Sequence, residues 1–188
     1  MTKERWEALM RALGIKPSID YFDALYMAYS EKHRFYHTVK HIEAMLKHFD
    51  AARELAQRPD ELELAIWFHD AIYKPLSSKN EVDSAIWAKE FLYANDYDPS
   101  GVERVYSLIM ATLHNGEVKS NDEKLIVDID LTILGAPEVV YDEFERNVRN
   151  EYKLVPSFIY RKKRKELLKA FLAMDSIYHF NFFKVSAN

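Results

Sequence analysis

An all-α fold is what this sequence predicts, and three observations carry the expectation. Apolar residues recur at three- and four-residue steps almost throughout, which is the period of a helix. Alternation of the strand type is hard to find along the chain. Glycine, which punctuates turns, occurs only 4 times in 188 residues. A chain of this length matches one ordinary domain, so residues 1–188 are expected to form a single helical bundle. Eight or nine helices are predicted, with no linker, repeat or low-complexity run.

Taken in order, the stretch MTKERWEALMRALGI is charged and amphipathic and lacks the apolar core of a signal peptide. No later segment approaches the ~20 apolar residues that span a bilayer, so a cytoplasmic location is expected. In the third predicted helix Val39, Ile42, Met45, Leu46, Phe49 and Leu55 form one stripe, while His37, His41 and His48 run along a neighbouring line. The segment PDELELAIWFHDAIYKP opens on Asp60 followed three residues later by Glu63, resembling a capping box, and stops before Pro75. This puts His69 and Asp70 in its last turns. A helix runs from Asn80 to about Ala94. Another, capped by Ser100 with Glu103, runs to His114, where Asn115-Gly116 reads as a stop. A further helix spans Asn121 to Gly135. The next has Pro137 in its first turn and Tyr141, Phe144, Val148 and Tyr152 on its inner face, and after Pro156 a last helix reaches about Tyr178.

Composition narrows the chemistry. Hydrophobic residues make up 48% and charged residues 30%, the balance of a globular chain with a sizeable core. A net charge of -4 offers no general attraction to nucleic acid or anionic membranes, so neither is an expected partner. Cysteine is absent, which removes disulfides, thiol nucleophiles and thiolate-bound metals; any metal must sit on nitrogen and oxygen.

The informative residues are polar ones on apolar stripes. His69 falls three residues after Ile66 and seven after Leu62, and Asp70 follows directly on Ala-Ile-Trp-Phe-His. An unpaired carboxylate buried there would be very costly. The same anomaly recurs in LIVDIDLTILG, apolar on nearly every side except at Asp128 and Asp130, with Lys124 as the one cation in that stretch. Asp130, four residues after Ile126 and three before Ile133, lies on an inward stripe. A divalent ion would compensate such carboxylates together with a nearby histidine. One geometric objection stands: adjacent residues on a helix point about 100° apart, so His69 and Asp70 can share an ion only over the gap between them.

The order His, His-Asp, Asp on an all-helical chain resembles the HD-domain superfamily of metal-dependent phosphohydrolases. More narrowly, RFYHTVKHIEAML (34–46), FHDAIY (68–73), NEVDSA (80–85), DIDLTILG (128–135) and RNEYKLVP (149–156) look like the small single-domain predicted phosphohydrolases of that superfamily. The resemblance implies an HD-type bundle binding one or two divalent transition metal ions (Mn, Fe, Co, Ni or Zn). His41, His69, Asp70 and Asp130 would be ligands, with Asp70 also catalytic. His41 is chosen over His37 because Ile42 and Met45 follow it as in the family, and Asp130 over Asp128 because of the Ile-Asp-Leu context. His37, Glu81, His114 and Asp128 are further candidates. Arg34, Lys74, Lys79, Arg149 and Arg164 are candidates for holding the phosphate of a small substrate, a nucleotide or other phosphate ester. An iron-dependent oxygenase or lyase on the same scaffold, or a non-catalytic ligand-binding module, are the alternatives.

Overall fold

The computed structural model describes residues 1–114, 116 and 118–185. Among the described residues all regular structure is helical, in ten α-helices and two short 3-10 segments. These are α1 (Lys3–Ala12), α2 (Ile19–Ala28), α3 (Val39–Ala52), α4 (Pro59–Phe68), α5 (Asn80–Ala94), α6 (Pro99–Ala111), α7 (Asn121–Asp130), α8 (Glu138–Glu151), α9 (Ser157–Leu172) and α10 (Asn181–Val185), with 3-10 turns at Arg53–Leu55 and Leu131–Gly135. The helix beyond the expected eight or nine is α10, five residues in a C-terminal stretch whose pattern is too short to read.

The core is organised around α4. Every residue from Leu62 to Phe68 on it is buried, and α1, α3, α5, α6 and α7 pack around it. A helix apolar on all sides has no face to give to water and becomes the centre of the bundle. Trp6, Trp67, Phe68 and Phe91 meet there, with the Trp6 and Trp67 ring centroids 5.4 Å apart in an edge-on arrangement. Burial of a side chain such as Phe68 or Leu62 contributes about 1.5–3 kcal/mol.

Charges drawn into this core are paired. Glu61 receives both Arg104 Nε and Nη2 at 2.7 Å, and Glu63 is held by Arg5 at 2.7 Å and Arg53 at 3.1 Å. These pairs replace the expected capping box, because Pro59 takes the first helical position and moves the start one residue ahead of Asp60. The amides of Gln57 and Arg58 go instead to Asp122, at 2.7 and 2.9 Å. Likewise Asp98, not Ser100, caps α6, accepting the Gly101 amide at 2.9 Å with Pro99 behind it. A capping box does form at α7, between Ser120 and Glu123. Helix α6 ends at Ala111, earlier than His114, because the Thr112 hydroxyl donates back to Ile109 O at 2.7 Å; Asn115 of the expected stop lies outside the described residues.

Asp128 corrects an expectation. Its fully buried carboxylate accepts His179 N at 2.9 Å, His179 Nδ1 at 2.8 Å and Phe180 N at 2.8 Å, so it clasps the C-terminal segment and is no reserve metal ligand. Two residues along a helix turn a side chain to nearly the opposite face, so Asp128 and Asp130 cannot serve one point. Asp128→Ala, which strands those donors, should cost about 3 kcal/mol and open residues 176–185 to protease. Thermal melting and limited proteolysis check this, and a variant indistinguishable from the parent would refute the clasp.

Candidate metal centre

Three helix ends bring the site together. His41 stands in the first turn of α3 and is buried. His69 is the residue on which α4 ends, and Asp70 follows in the turn. Asp130 is the last residue of α7. The objection that neighbours on a helix diverge is answered here by the side chains themselves, since His69 Nε2 and Asp70 Oδ2 lie 3.0 Å apart at the end of α4.

Arg34 makes that exit possible. Its buried guanidinium donates to Asp70 O at 2.7 Å, Ala71 O at 2.9 Å and His37 O at 3.1 Å, while its Nε reaches Glu31 at 3.0 Å. The carbonyls of the turn that follows α4 are thus satisfied by a cation placed at the negative end of the helix dipole, while the helix's own last carbonyls go to His69 Nδ1 (Ile66 O), the Tyr29 hydroxyl (Trp67 O) and the Ala71 amide (Phe68 O). Arg34 is therefore not a phosphate ligand as expected, since its donors are spent on backbone. On the other side of the turn, the Asn80 side chain bonds both Lys74 N and Lys74 O at 3.0 Å, and Ser84 accepts from Ile72 N at 3.0 Å. The NEVDSA block thereby clamps the loop that follows His69-Asp70.

The side chains converge closely. His69 Nδ1 donates to Ile66 O at 2.9 Å, which fixes the ring so that Nε2 faces the site. That Nε2 lies 3.3 Å from His41 Nε2 and 3.0 Å from Asp70 Oδ2. His41 Nε2 in turn lies 3.3 Å from Asp130 Oδ1 and 3.7 Å from Asp70 Oδ2. One donor atom each from His41, His69 and Asp130 falls within 4.8 Å of the others, so this group could hold a metal ion, with Asp70 alongside. For ligands about 2.0–2.2 Å from a shared ion, neighbouring donor atoms stand about 3 Å apart in an octahedron and about 3.4 Å apart in a tetrahedron. The His41–His69, His41–Asp130 and His69–Asp70 separations of 3.3, 3.3 and 3.0 Å match that spacing, while His41–Asp70 at 3.7 Å and His69–Asp130 at 4.0 Å are wider.

Electrostatics agree with a cation-seeking cluster. Burial opposes ionisation of Asp70, but His69, His37 and His41 outweigh it and hold the carboxyl far below its usual range. Burial likewise opposes Asp130, yet His114, His41 and His69 keep it ionised. Against burial, Asp70 and Asp130 raise His69 to about 9.

Around this centre the further candidates divide. His114 Nε2 lies 2.9 Å from the second oxygen of Asp130, and its backbone has φ 53, a strained left-handed conformation for a non-glycine residue. Glu81 is half-buried at the start of α5; burial raises its carboxyl, its own amide lowers it, and Asp70 raises it further. Arg149 is another correction: it closes the α8–α9 turn on Tyr152 O at 2.6 Å, Val155 O at 3.1 Å and Ser157 Oγ at 3.2 Å, lies over Tyr160, and lines neither recess beside the centre. Arg164 is paired with Glu145. Lys74 and Lys79 are exposed and line neither recess beside the centre.

His37 reveals a residue that the sequence reading did not assign. Its Nδ1 is 2.7 Å from Glu151, whose buried carboxylate also accepts the amides of Phe35 and Tyr36 at 2.8 Å and of His37 at 3.0 Å, and the Tyr73 hydroxyl at 2.9 Å. Glu151 lies seven residues after Phe144 and three after Val148, on the apolar stripe of α8, which is the signal that singled out Asp130. A recess of about 300 Å3 opens on His41 and Asp130, with Lys40, another unassigned cation, at its edge.

No protein-family model, curated protein or solved structure matches the chain.

Burial resists ionisation of Glu151, but His37 and the Phe35 and Tyr36 amides pull it down to about 2 from an ordinary 4.5. A lowered carboxyl contributes stability above its unfolded pKa and loses it as pH falls through the folded one. Unfolding measured from pH 7 downward should therefore lose about 3 kcal/mol between pH 4.5 and about 2, and Glu151→Gln should flatten that limb. An unchanged acid limb in the variant would contradict the assignment.

Proposed function

We propose that the chain is a metal-dependent phosphohydrolase of the HD-domain superfamily, acting on a small phosphate ester, nucleotides included, through metal-activated water. One observation carries the reading: two imidazole nitrogens 3.3 Å apart face one point with carboxylates of Asp70 and Asp130 around it. Two nitrogens this close repel unless a proton or a cation stands between them, and nitrogen and oxygen donors in this mixture suit Mn, Fe, Co, Ni or Zn. His41, His69, Asp70 and Asp130 would hold the ion. Bound there, it would lower the pKa of water toward neutrality and polarise a phosphoryl oxygen.

The chain's own residues supply the rest. Asp70 would serve as ligand and, through its carboxylate, as the acceptor of the water's proton. His37 is tied at Nδ1 to Glu151, so Nε2 is the nitrogen left to give a proton to a leaving group. Lys40 at the mouth of the recess compensates phosphate charge. The second oxygen of Asp130, at His114, is where a second ion would attach, which suits a two-ion hydrolase and also an iron-dependent oxygenase.

Metal analysis with a phosphate-release screen tests the reading. Asp70→Asn should lower turnover by at least ~100-fold. Added Mn2+ should raise the parent's melting temperature far more than the variant's. Equal stabilisation with unchanged turnover would make Asp70 neither ligand nor base, and oxygen consumption without phosphate release would favour the oxygenase.

A second expectation follows from protonation. Because His69 in the metal-free chain titrates at about 9, it is protonated at pH 7 and a bound ion must displace that proton. Metal affinity should rise with pH up to about 9, and calorimetry at pH 7 in buffers of different ionisation heat should record proton release. Binding without proton release would count against His69 as ligand.

A further inference from the structure

A second, larger recess of about 500 Å3 runs between α8 and α9 and ends at His37. Its walls are mainly apolar, with Phe144 and Val148 on one side, Ile159 and Leu167 on the other and Leu76 at the rim, and they include the rings of Tyr152 and Tyr160. Three of these stay in water: Leu76 is 75% exposed, Leu167 44% and Ile159 42%. Along all sixteen residues of α9 no side chain is buried. The helix is held over the groove by the Arg164–Glu145 pair and by the Arg149 closure of the α8–α9 turn.

The groove and the metal centre adjoin. The His37 ring at the groove's end is 5.9 Å from that of His41, and Phe144 is a wall of both this groove and the recess that holds His41 and Asp130. One small molecule can therefore reach both. Among the described residues no carboxylate lines the groove, whereas His37, Lys163 and Arg164 do, so an anion is tolerated along it. Beyond these and the Tyr152 and Tyr160 hydroxyls the walls offer a base or sugar few partners for its many polar atoms, a cost an alkyl chain does not meet.

We propose that this groove receives the apolar part of the molecule hydrolysed at the metal centre, making the substrate a phosphate monoester of a single alkyl or prenyl chain. The inference rests on the phosphohydrolase reading for its head group, and on the groove alone for its tail.

The test uses n-alkylphosphonates, whose carbon–phosphorus bond resists hydrolysis, binding to the Mn2+-loaded and the metal-stripped protein by calorimetry. Affinity should rise roughly fourfold per methylene from ethyl to octyl, the increment of burying that group. Leu167→Glu and Ile159→Glu, at partly exposed positions, should abolish the rise, while Leu172→Glu, 82% exposed elsewhere on α9, should keep it. Affinity independent of chain length, or a rise that survives Leu167→Glu, would overturn the proposal. The two readings fail separately. A groove without a hydrolase gives the same chain-length rise with and without Mn2+ and no phosphate release from octyl phosphate. A hydrolase without the groove releases phosphate from short esters with no gain for longer ones.

Discussion

The capture of the Asp70 and Ala71 carbonyls by the Arg34 guanidinium is the contact on which the centre depends. The turn after α4 lies inside the molecule, where open carbonyls at Asp70 and Ala71 would be costly. By satisfying them, Arg34 holds the turn beyond His69, so that an imidazole fixed by Ile66 O and a carboxylate from the turn reach the same side. Asn80 and Ser84 then hold the departing strand of chain from the opposite flank. The geometry of the centre is thus set by residues that do not belong to it.

Charge compensation orders everything outward from there. Glu61, Glu63, Asp122, Asp128 and Glu151 are all buried, and each has a cation, an imidazole or backbone amides at hydrogen-bonding distance. Asp70 and Asp130 are compensated differently, by imidazoles crowded within 4.0 Å of one another's partners. Imidazole is the group that exchanges a proton for a metal ion near neutral pH, whereas a guanidinium cannot. Asp128 and Glu151 face one imidazole each; what separates the candidate centre is that two imidazole nitrogens meet 3.3 Å apart beside the same carboxylates.

The strain at His114 and the openness of α9 are consistent with a centre meant to be entered. A left-handed His114 is kept only where the surroundings over-determine it, here by its bond to Asp130. A helix with no buried side chain contributes little to the core and leaves an apolar wall facing water beside His37.

Periodicity, scarce glycine and prolines at helix starts were enough to define the all-α class and most element positions, since these depend on near neighbours in the chain. The anomaly of His69, Asp70 and Asp130 on apolar stripes was likewise legible, because a polar group at a core position stands out in sequence alone. Partners were not legible. The stripe of Ile126 and Ile133 favoured Asp130, but nothing local shows that Asp128 is spent on His179 and Phe180, or that Arg34 and Arg149 are consumed by carbonyls. Glu151 carried the same stripe signal as Asp130, but its meaning required His37, 114 residues away. Sequence sets what each segment must bury; which charges meet is decided only when helices distant in the chain pack together, because electrostatic compensation acts through space and not along the backbone.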